Sequence, residues 1–228
     1  MRPISILAAV LAAGFAVPAQ DAGAAPGAAS ERVLVVELFS SQACPSCPTA
    51  EAVMTDMAQG DATLLPLDLH VTYFDRAGWK DAYSLPAASQ RQRRYASQLG
   101  TAGVYTPQVV VAGRRQAVGY DAGAVQAAVA QARRDVRGDG EVALALAHDP
   151  AGLRVQAGAG PGQGTLWLVG YDAPSGRHGG VNTVRTLQAL GDWRGAPVDM
   201  LVAAPLGEHA ALLLQDRGGA ILSAAVLR

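Results

Sequence analysis

Two cysteines are the residues of this chain best suited to chemistry, and only two residues separate them. Cys44 and Cys47 enclose Pro45 and Ser46, and the 228-residue chain holds no other cysteine. Two intervening residues let one helical turn bring the sulfurs together, so a disulfide between them could open and close without moving the fold. A structural disulfide gains most by closing a long loop, and this pair closes a very short one. The spacing therefore favours a redox-active pair over a structural staple.

The cysteines lie where a predicted strand ends and a predicted helix begins. Arg32–Phe39 is a short apolar run rich in Val and Leu, which is typical of a strand buried on both faces. Pro45–Gln59 has helical spacing of apolar residues, and proline suits a first helical turn. Unpaired N–H groups and the helix dipole lower the pKa of a thiol at such a helix start. We therefore predict Cys44 as the attacking thiolate and Cys47, one turn into the helix, as the residue that resolves the mixed disulfide.

The elements around the pair are predicted to follow the order β-α-β-α-β-β-α. A strand, a helix and a strand in so short a stretch predict a parallel pair, and a tight turn at Gly113–Arg114 predicts an antiparallel hairpin. This is the thioredoxin arrangement, so residues 31–137 are predicted to form a thioredoxin-like α/β domain, a central mixed sheet flanked by helices. Beyond the first strand and helix, the predicted elements are Thr63–Val71, Pro86–Leu99, Gln108–Ala112, Gln116–Gly119 and Ala122–Val136.

The peptide bond between Thr106 and Pro107 directly precedes the predicted strand Gln108–Ala112. In thioredoxin-like folds an X-Pro bond at this place is cis, and its loop faces the cysteine pair. A cis bond there leaves the backbone of the preceding residue free to pair with a substrate strand, and it keeps a metal out of the site. We therefore predict a cis bond.

The pattern of apolar residues changes after a predicted linker at residues 137–140. Short alternating apolar segments are separated by Gly, Pro and Asp, which predicts a β-rich, sandwich-like domain over residues 141–228. Within it, Thr183–Leu190 fits either a strand or a short helix.

The N-terminus predicts export. Arg2 precedes the apolar run Ile4–Val17, and small residues follow it, so residues 1–24 are predicted to be a cleaved signal peptide. The run is shorter than the roughly 20 residues of a membrane-spanning helix, which favours cleavage over an uncleaved anchor. No cysteine lies at the cleavage region, which excludes a lipoprotein anchor. We expect a periplasmic or secreted protein with no membrane span after cleavage.

Charge and motifs exclude several function classes. The formal net charge is -1, without a long run of either sign, which argues against nucleic-acid binding. No Ser-His-Asp set, phosphate loop or paired-carboxylate motif suggests a hydrolase or a kinase.

Other interpretations of the chemical residues remain open. The cysteines could form an inert disulfide, or half of a copper or zinc site with His70 as third ligand, although no histidine lies at ligand spacing. Asp68 and His70 could carry protons beside the cysteines, but we expect them to be ordinary strand residues near a domain edge. We expect Arg91, Arg93 and Arg94 to lie on a solvated helix face. Tyr73, Phe74 and Trp79 could pack a long connection or form the floor of a peptide groove. We expect surface or turn positions for His148, His178 and His209.

A family resemblance covers nearly all of the predicted mature chain. The segments that carry it are Glu37–Pro48, His70–Asp75, Gly78–Asp81, Arg91–Arg93, Tyr95–Ala96, Val104–Gln108, Asn182–Arg185 and Leu190–Trp193. They resemble the signature of a bacterial family of exported proteins, domain-of-unknown-function family 1223. The resemblance implies a signal peptide, a thioredoxin-like domain and a β-rich partner domain, and it implies no established substrate.

These observations predict a periplasmic thiol–disulfide oxidoreductase that acts on protein or small-molecule thiols without a cofactor or metal. Cys44 would attack, Cys47 would resolve, and Thr106–Pro107 would shape the docking loop. The alternative is a non-catalytic binding or structural module on a thioredoxin-like scaffold, with an inert or redox-sensing disulfide and recognition by the β-rich domain.

Overall fold

Strand β1 (Leu34–Ser40) runs through the interior of a mixed sheet, and all of its residues are buried. The computed structural model describes residues 32–136, 141–174 and 181–227. The predicted signal peptide and the predicted linker at residues 137–140 lie outside the described residues.

The first half of the described chain has the predicted order β-α-β-α-β-β-α, which confirms that prediction. Most element ends lie within a residue or two of their predicted positions. After β1 come α1 (Cys47–Gly60), β2 (Leu64–His70), α2 (Pro86–Gln98), β3 (Gln108–Val111), β4 (Arg115–Val118) and α3 (Ala122–Val136).

β1 pairs with a neighbour on each side. It runs parallel to β2 over the whole strand, from Leu34↔Leu64 to Ser40↔His70. It runs antiparallel to β3, which forms an antiparallel hairpin with β4. The first pair is parallel because α1 carries the chain back to the start of the sheet before β2 begins.

The second half of the described chain is composed of strands. The segment Thr183–Leu190, which the sequence left between strand and helix, belongs to a strand. The strands are β5 (Leu144–Asp149), β6 (Gly152–Ala157), β7 (Gly164–Asp172), β8 (Thr183–Trp193), β9 (Val198–Val202), β10 (His209–Asp216) and β11 (Ile221–Val226).

These strands divide between two sheets. β7, β8, β10 and β11 extend the sheet of the first half into eight strands, in the order β11-β10-β7-β8-β2-β1-β3-β4. The junction is a parallel pairing of β8 with β2 at Asp68↔Thr183. β5, β6 and β9 form a second, antiparallel sheet. The fold is therefore mixed α/β with a large mixed sheet and a second antiparallel sheet.

Three hydrophobic clusters fill the space between these layers, because successive strand residues face opposite sides of a sheet. Leu34, Val36 and Leu38 of β1 face α1 and α3. Val35 and Phe39 face the opposite side, where α2 and residues of β7 and β10 complete the cluster. The third cluster lies between the two sheets and contains the fully buried Trp193.

No helix among the described residues has the length and apolar character needed to cross a membrane.

Candidate redox site

The two cysteines form a disulfide at the end of β1, with their Cα atoms 5.4 Å apart. Two successive turns shape the segment: the Cys44 N–H donates to the Ser41 carbonyl at 3.0 Å, and the Cys47 N–H donates to the Cys44 carbonyl at 3.2 Å. Cys44 is 4% exposed and Cys47 is 0% exposed. Of the two cysteines, only Cys44 has any exposed surface.

Helix α1 begins two residues later than the sequence predicts. Pro45 lies in the turn before the helix, Ser46 is the N-cap residue, and Cys47 is the first helical residue instead of lying one turn in. The hydrogen bond that closes the turn from Cys44 to Cys47 delays the helix. Both sulfurs consequently lie at the helix start, close to the N–H groups that lack partners within the helix.

Ser46 is positioned to act on the first cysteine. Its side chain makes no capping hydrogen bond to the helix. Its Oγ lies 3.8 Å from Cys44 Sγ. A disulfide sulfur carries no proton, so the serine hydroxyl is the donor in this contact.

The peptide bond between Thr106 and Pro107 is cis, which confirms the prediction. The Pro107 carbonyl accepts a hydrogen bond from the Gly119 N–H at 2.9 Å. A Cβ placed on Gly119 would lie 3.0 Å from Pro107 Cβ and 2.9 Å from Ala50 Cβ. Gly119 therefore fits closely between Pro107 and Ala50 of α1. Ala50 lies three residues after Cys47, so the proline loop lies near the start of this helix.

A residue of α2 fixes the same loop from the other side. The buried Gln92 donates from Nε2 to the Tyr105 carbonyl at 2.7 Å and to Gln108 Oε1 at 3.0 Å. These two acceptors flank Thr106–Pro107 in the chain. No role was predicted for Gln92, although its place between Ala88 and Tyr95 at helical spacing indicates an inward-facing residue.

A buried charge cluster lies at the end of β2, on the face of the sheet that α1 covers. His70 contacts Asp81 through Nδ1 at 2.9 Å and Asp68 through Nε2 at 3.3 Å. The Ser40 hydroxyl donates to Asp68. Burial on its own would lower the pKa of His70, but the two carboxylates outweigh burial and raise it to about 10. His70 is therefore an imidazolium at neutral pH.

Asp81 connects this cluster to the segment before the disulfide. It accepts the Gln42 N–H at 2.7 Å and the Ser41 hydroxyl at 3.1 Å. Burial would raise the pKa of Asp81, but the hydrogen bonds from His70, Gln42 and Tyr83 hold it at about 2. The Asp81 carboxylate thus fixes the Ser41 side chain and the Gln42 backbone, shortly before Cys44 in the chain.

The comparisons with known proteins decide the family. A family model described as "Protein of unknown function (DUF1223)" matches residues 35–215. The chain belongs to this family. A protein from Agrobacterium tumefaciens with an X-ray crystal structure is similar to it, with a TM-score of 0.73 and 28% sequence identity over 87% of this chain and 96% of that chain. No curated protein matches the chain.

Several residues of this DUF1223 protein lie elsewhere than the sequence indicated. Asp68 and His70, expected to be ordinary strand residues, belong to the buried charge cluster. Arg91, expected on a solvated face, is 1% exposed and pairs with Glu37, so that expectation is wrong. Arg93 and Arg94 are exposed, as predicted. Asp81 lies in the segment Gly78–Asp81 that carries the family resemblance, but no role was predicted for it, because its role depends on contacts with β2 and with residues some 40 positions away.

The aromatic and histidine candidates differ in their surroundings. Tyr73 and Phe74 contact each other with ring centroids 5.3 Å apart, and Arg76 lies over Trp79. The exposed Tyr73 also interacts with Gln92 and Thr106, which places it beside the proline loop, so both packing of the connection and the floor of a peptide groove stay as predictions. His148 and His209 are exposed. His178 lies outside the described residues.

The metal alternative finds no ligand set in the described parts of the chain. No group of three or more His, Cys, Asp or Glu residues there could hold a metal ion. His70, the proposed third ligand, has both ring nitrogens engaged by carboxylates.

Proposed function

We propose that this DUF1223 protein is an exported thiol–disulfide oxidoreductase whose reactive group is the Cys44–Cys47 disulfide. The observation that carries the proposal is the position of the disulfide. It lies at the start of α1, with the Ser46 hydroxyl beside Cys44 Sγ and with Gly119 between Pro107 and the same helix.

The scaffold supports the proposal. The strand order β2-β1-β3-β4, with β1 and β2 parallel and the hairpin antiparallel, is the order expected of a thioredoxin-like domain over residues 31–137. We place the β-rich partner over residues 141–228. The predicted signal peptide at residues 1–24 would deliver the protein to the periplasm, where disulfide chemistry is supported.

The reaction proceeds by two exchanges. A substrate thiolate attacks Cys44 Sγ, the Cys44–Cys47 bond breaks, and Cys47 leaves as a thiolate that takes up a proton. A second substrate thiolate then attacks the substrate sulfur of the mixed disulfide and releases Cys44. The substrate dithiol loses two electrons and two protons, and the cysteine pair gains them. In reverse, Cys44 attacks a substrate disulfide and Cys47 resolves it.

Replacement of each cysteine tests these roles. Cys44→Ser should abolish dithiol–disulfide turnover, measured with glutathione disulfide as oxidant. Cys47→Ser keeps the attacking thiol and should accumulate a mixed disulfide with glutathione, visible by mass spectrometry. Unchanged turnover in Cys44→Ser would overturn the proposal.

One observation favours a second candidate function. Both cysteines are buried, and burial protects a disulfide from exchange. In that case the protein is a binding module with an inert or redox-sensing disulfide. The reduction potential separates the two candidates: a value between about −270 and −120 mV supports the oxidoreductase, and a value below about −300 mV supports the binding module.

A further inference from the structure

A cavity of about 170 Å³ lies between α2 and the strands β7 and β10, and it shares no residue with the redox site. Its innermost lining includes Arg91, Tyr95 and Gln215, which are all buried. Arg94 and Arg217, which are exposed, also line it. The cavity thus has a buried polar floor and a positively charged entrance.

The floor is rigid because its hydrogen bonds interlock. Arg91 donates to both carboxylate oxygens of Glu37, to Tyr95 Oη at 2.9 Å and to Gln215 Oε1 at 2.8 Å. Gln215 in turn donates to Tyr95 Oη at 2.9 Å. Burial would lower the pKa of Arg91, but the Glu37 carboxylate outweighs burial and raises it, so the guanidinium stays charged.

The guanidinium groups of two arginines lie against the indole ring of Trp167. Arg91 Cζ lies 5.3 Å and Arg94 Cζ lies 5.4 Å from the centroid of its ring. Burial and the charge of Arg91 both lower the pKa of Arg94. Within the described residues no carboxylate lies at ion-pair distance from Arg94. Its donors are therefore held close to the cavity by the indole ring without an anionic partner.

The charges around the cavity do not balance. Among its described lining residues the charged ones are Arg91, Arg94, Arg217 and Asp216. Glu37 neutralises Arg91 from behind the floor, and Asp216 accepts the Ala220 N–H at 2.8 Å, which holds it in its own turn. One positive charge is left over at the entrance, next to the hydroxyl-bearing Thr165.

We propose that this cavity is a binding site for a small oxyanion, a carboxylate or phosphate group. Arg94 and Arg217 supply charged donors at the entrance, Arg91 lies in the floor, and Trp167 lines the side of the cavity. Guanidinium groups match the planar or tetrahedral arrangement of oxygens in such anions, and a volume of about 170 Å³ suits a small anion.

The test titrates the purified protein with inorganic phosphate and, separately, with acetate, at constant ionic strength maintained with sodium chloride. Calorimetry measures binding, and a fluorescence change that is lost in Trp167→Phe would assign the signal to Trp167 among the three tryptophans. Arg94→Gln is the test variant, and Arg93→Gln is the matched control, because Arg93 is an exposed neighbour on the same helix that does not line the cavity.

Saturable binding of either anion to the wild type and to Arg93→Gln, weakened at least about tenfold in Arg94→Gln, supports the site. Whichever anion saturates at the lower concentration identifies the group. Absence of saturable binding by both anions, or equal weakening in the two variants, would overturn it. Cys44→Ser should bind as the wild type does, so this proposal and the redox proposal fail independently.

Discussion

Ser46 makes no capping hydrogen bond, and its hydroxyl contacts Cys44 instead. A serine at a helix N-cap ordinarily accepts a hydrogen bond from an N–H of the first helical turn. Here that bond is absent, and the hydroxyl lies beside Cys44 Sγ instead. In the reduced protein the same hydroxyl can donate to the Cys44 thiolate, which favours the charged form.

We predict that, in the reduced protein, Ser46→Ala raises the pKa of the Cys44 thiol, because a donor to the thiolate is lost. The pH dependence of alkylation by iodoacetamide measures this pKa. Helix stability should not change through capping, since Ser46 makes no cap bond. Thr49→Ala, an exposed position in the first turns of α1, is the control. An equal shift in both variants would exclude a specific role for Ser46.

At the scale of elements, the end of β2 and the connection from 72 to 85 hold the turn that leads to the disulfide. His70 lies between Asp68 on its own strand and Asp81 on the connection. Asp81 in turn accepts hydrogen bonds from Ser41 and Gln42. The geometry of the cysteine turn is therefore linked to the protonation of a histidine in a different element.

We predict that the protein loses stability as the pH rises from 6.5 towards 10, because the pKa of His70 is raised from 6.5 to about 10 in the folded state. The stabilisation from the charged His70 is complete below 6.5, its pKa in the unfolded chain. It is lost as the pH rises to about 10, its pKa in the folded protein. The free energy of unfolding should fall by at most about 1.4 kcal/mol per pH unit in this window. Asp81, with its pKa lowered from 3.8 to about 2, stabilises above 3.8 and loses this contribution as the pH falls through 2.

Urea unfolding at several pH values between about 6 and 10 measures the alkaline slope. His70→Gln should remove this component and be less stable at neutral pH, because two buried carboxylates lose their partner. His148→Gln, at an exposed position, should keep the wild-type slope. A slope that survives in His70→Gln would assign the pH dependence to another group.

At the scale of the whole molecule, a buried ion pair lies where the first and second halves meet. Glu37 belongs to β1, Arg91 to α2, and Gln215, which contacts Arg91, to β10. The large sheet also passes from one half to the other through β2 and β8. The described residues of both halves belong to one compact unit.

We predict that Glu37→Gln destabilises the protein by about 3–5 kcal/mol, because it leaves the buried Arg91 charge without its counterion. Urea unfolding measures this loss. Asp199→Asn, which breaks the solvent-exposed pair with Arg154, should change stability little. Circular dichroism follows the described helices, which lie in the first half, and the fluorescence of a Trp79→Phe variant follows Trp167 and Trp193 in the second. Coincident transitions would show that the two halves unfold together, and separate transitions would support independent domains.

The element order was predictable because it depends on local patterns. Valine-rich runs, helical spacing and Gly or Pro punctuation placed the strands and helices of the described chain, and the Thr106–Pro107 bond was correctly predicted to be cis. The start of α1 was missed, since a backbone hydrogen bond between Cys44 and Cys47 is not visible in a propensity pattern.

The sequence by itself determined the pair of residues capable of redox chemistry and the strand and helix that present them, because spacing and periodicity act over a few residues. Only the tertiary structure decided that Asp81 anchors the cysteine turn, that Arg91 is buried against Glu37, and that four C-terminal strands join the first sheet. These features depend on contacts between residues that are dozens of positions apart. Strand pairing and charge burial are settled by which surfaces meet, and a local pattern of apolar and polar residues does not encode that choice.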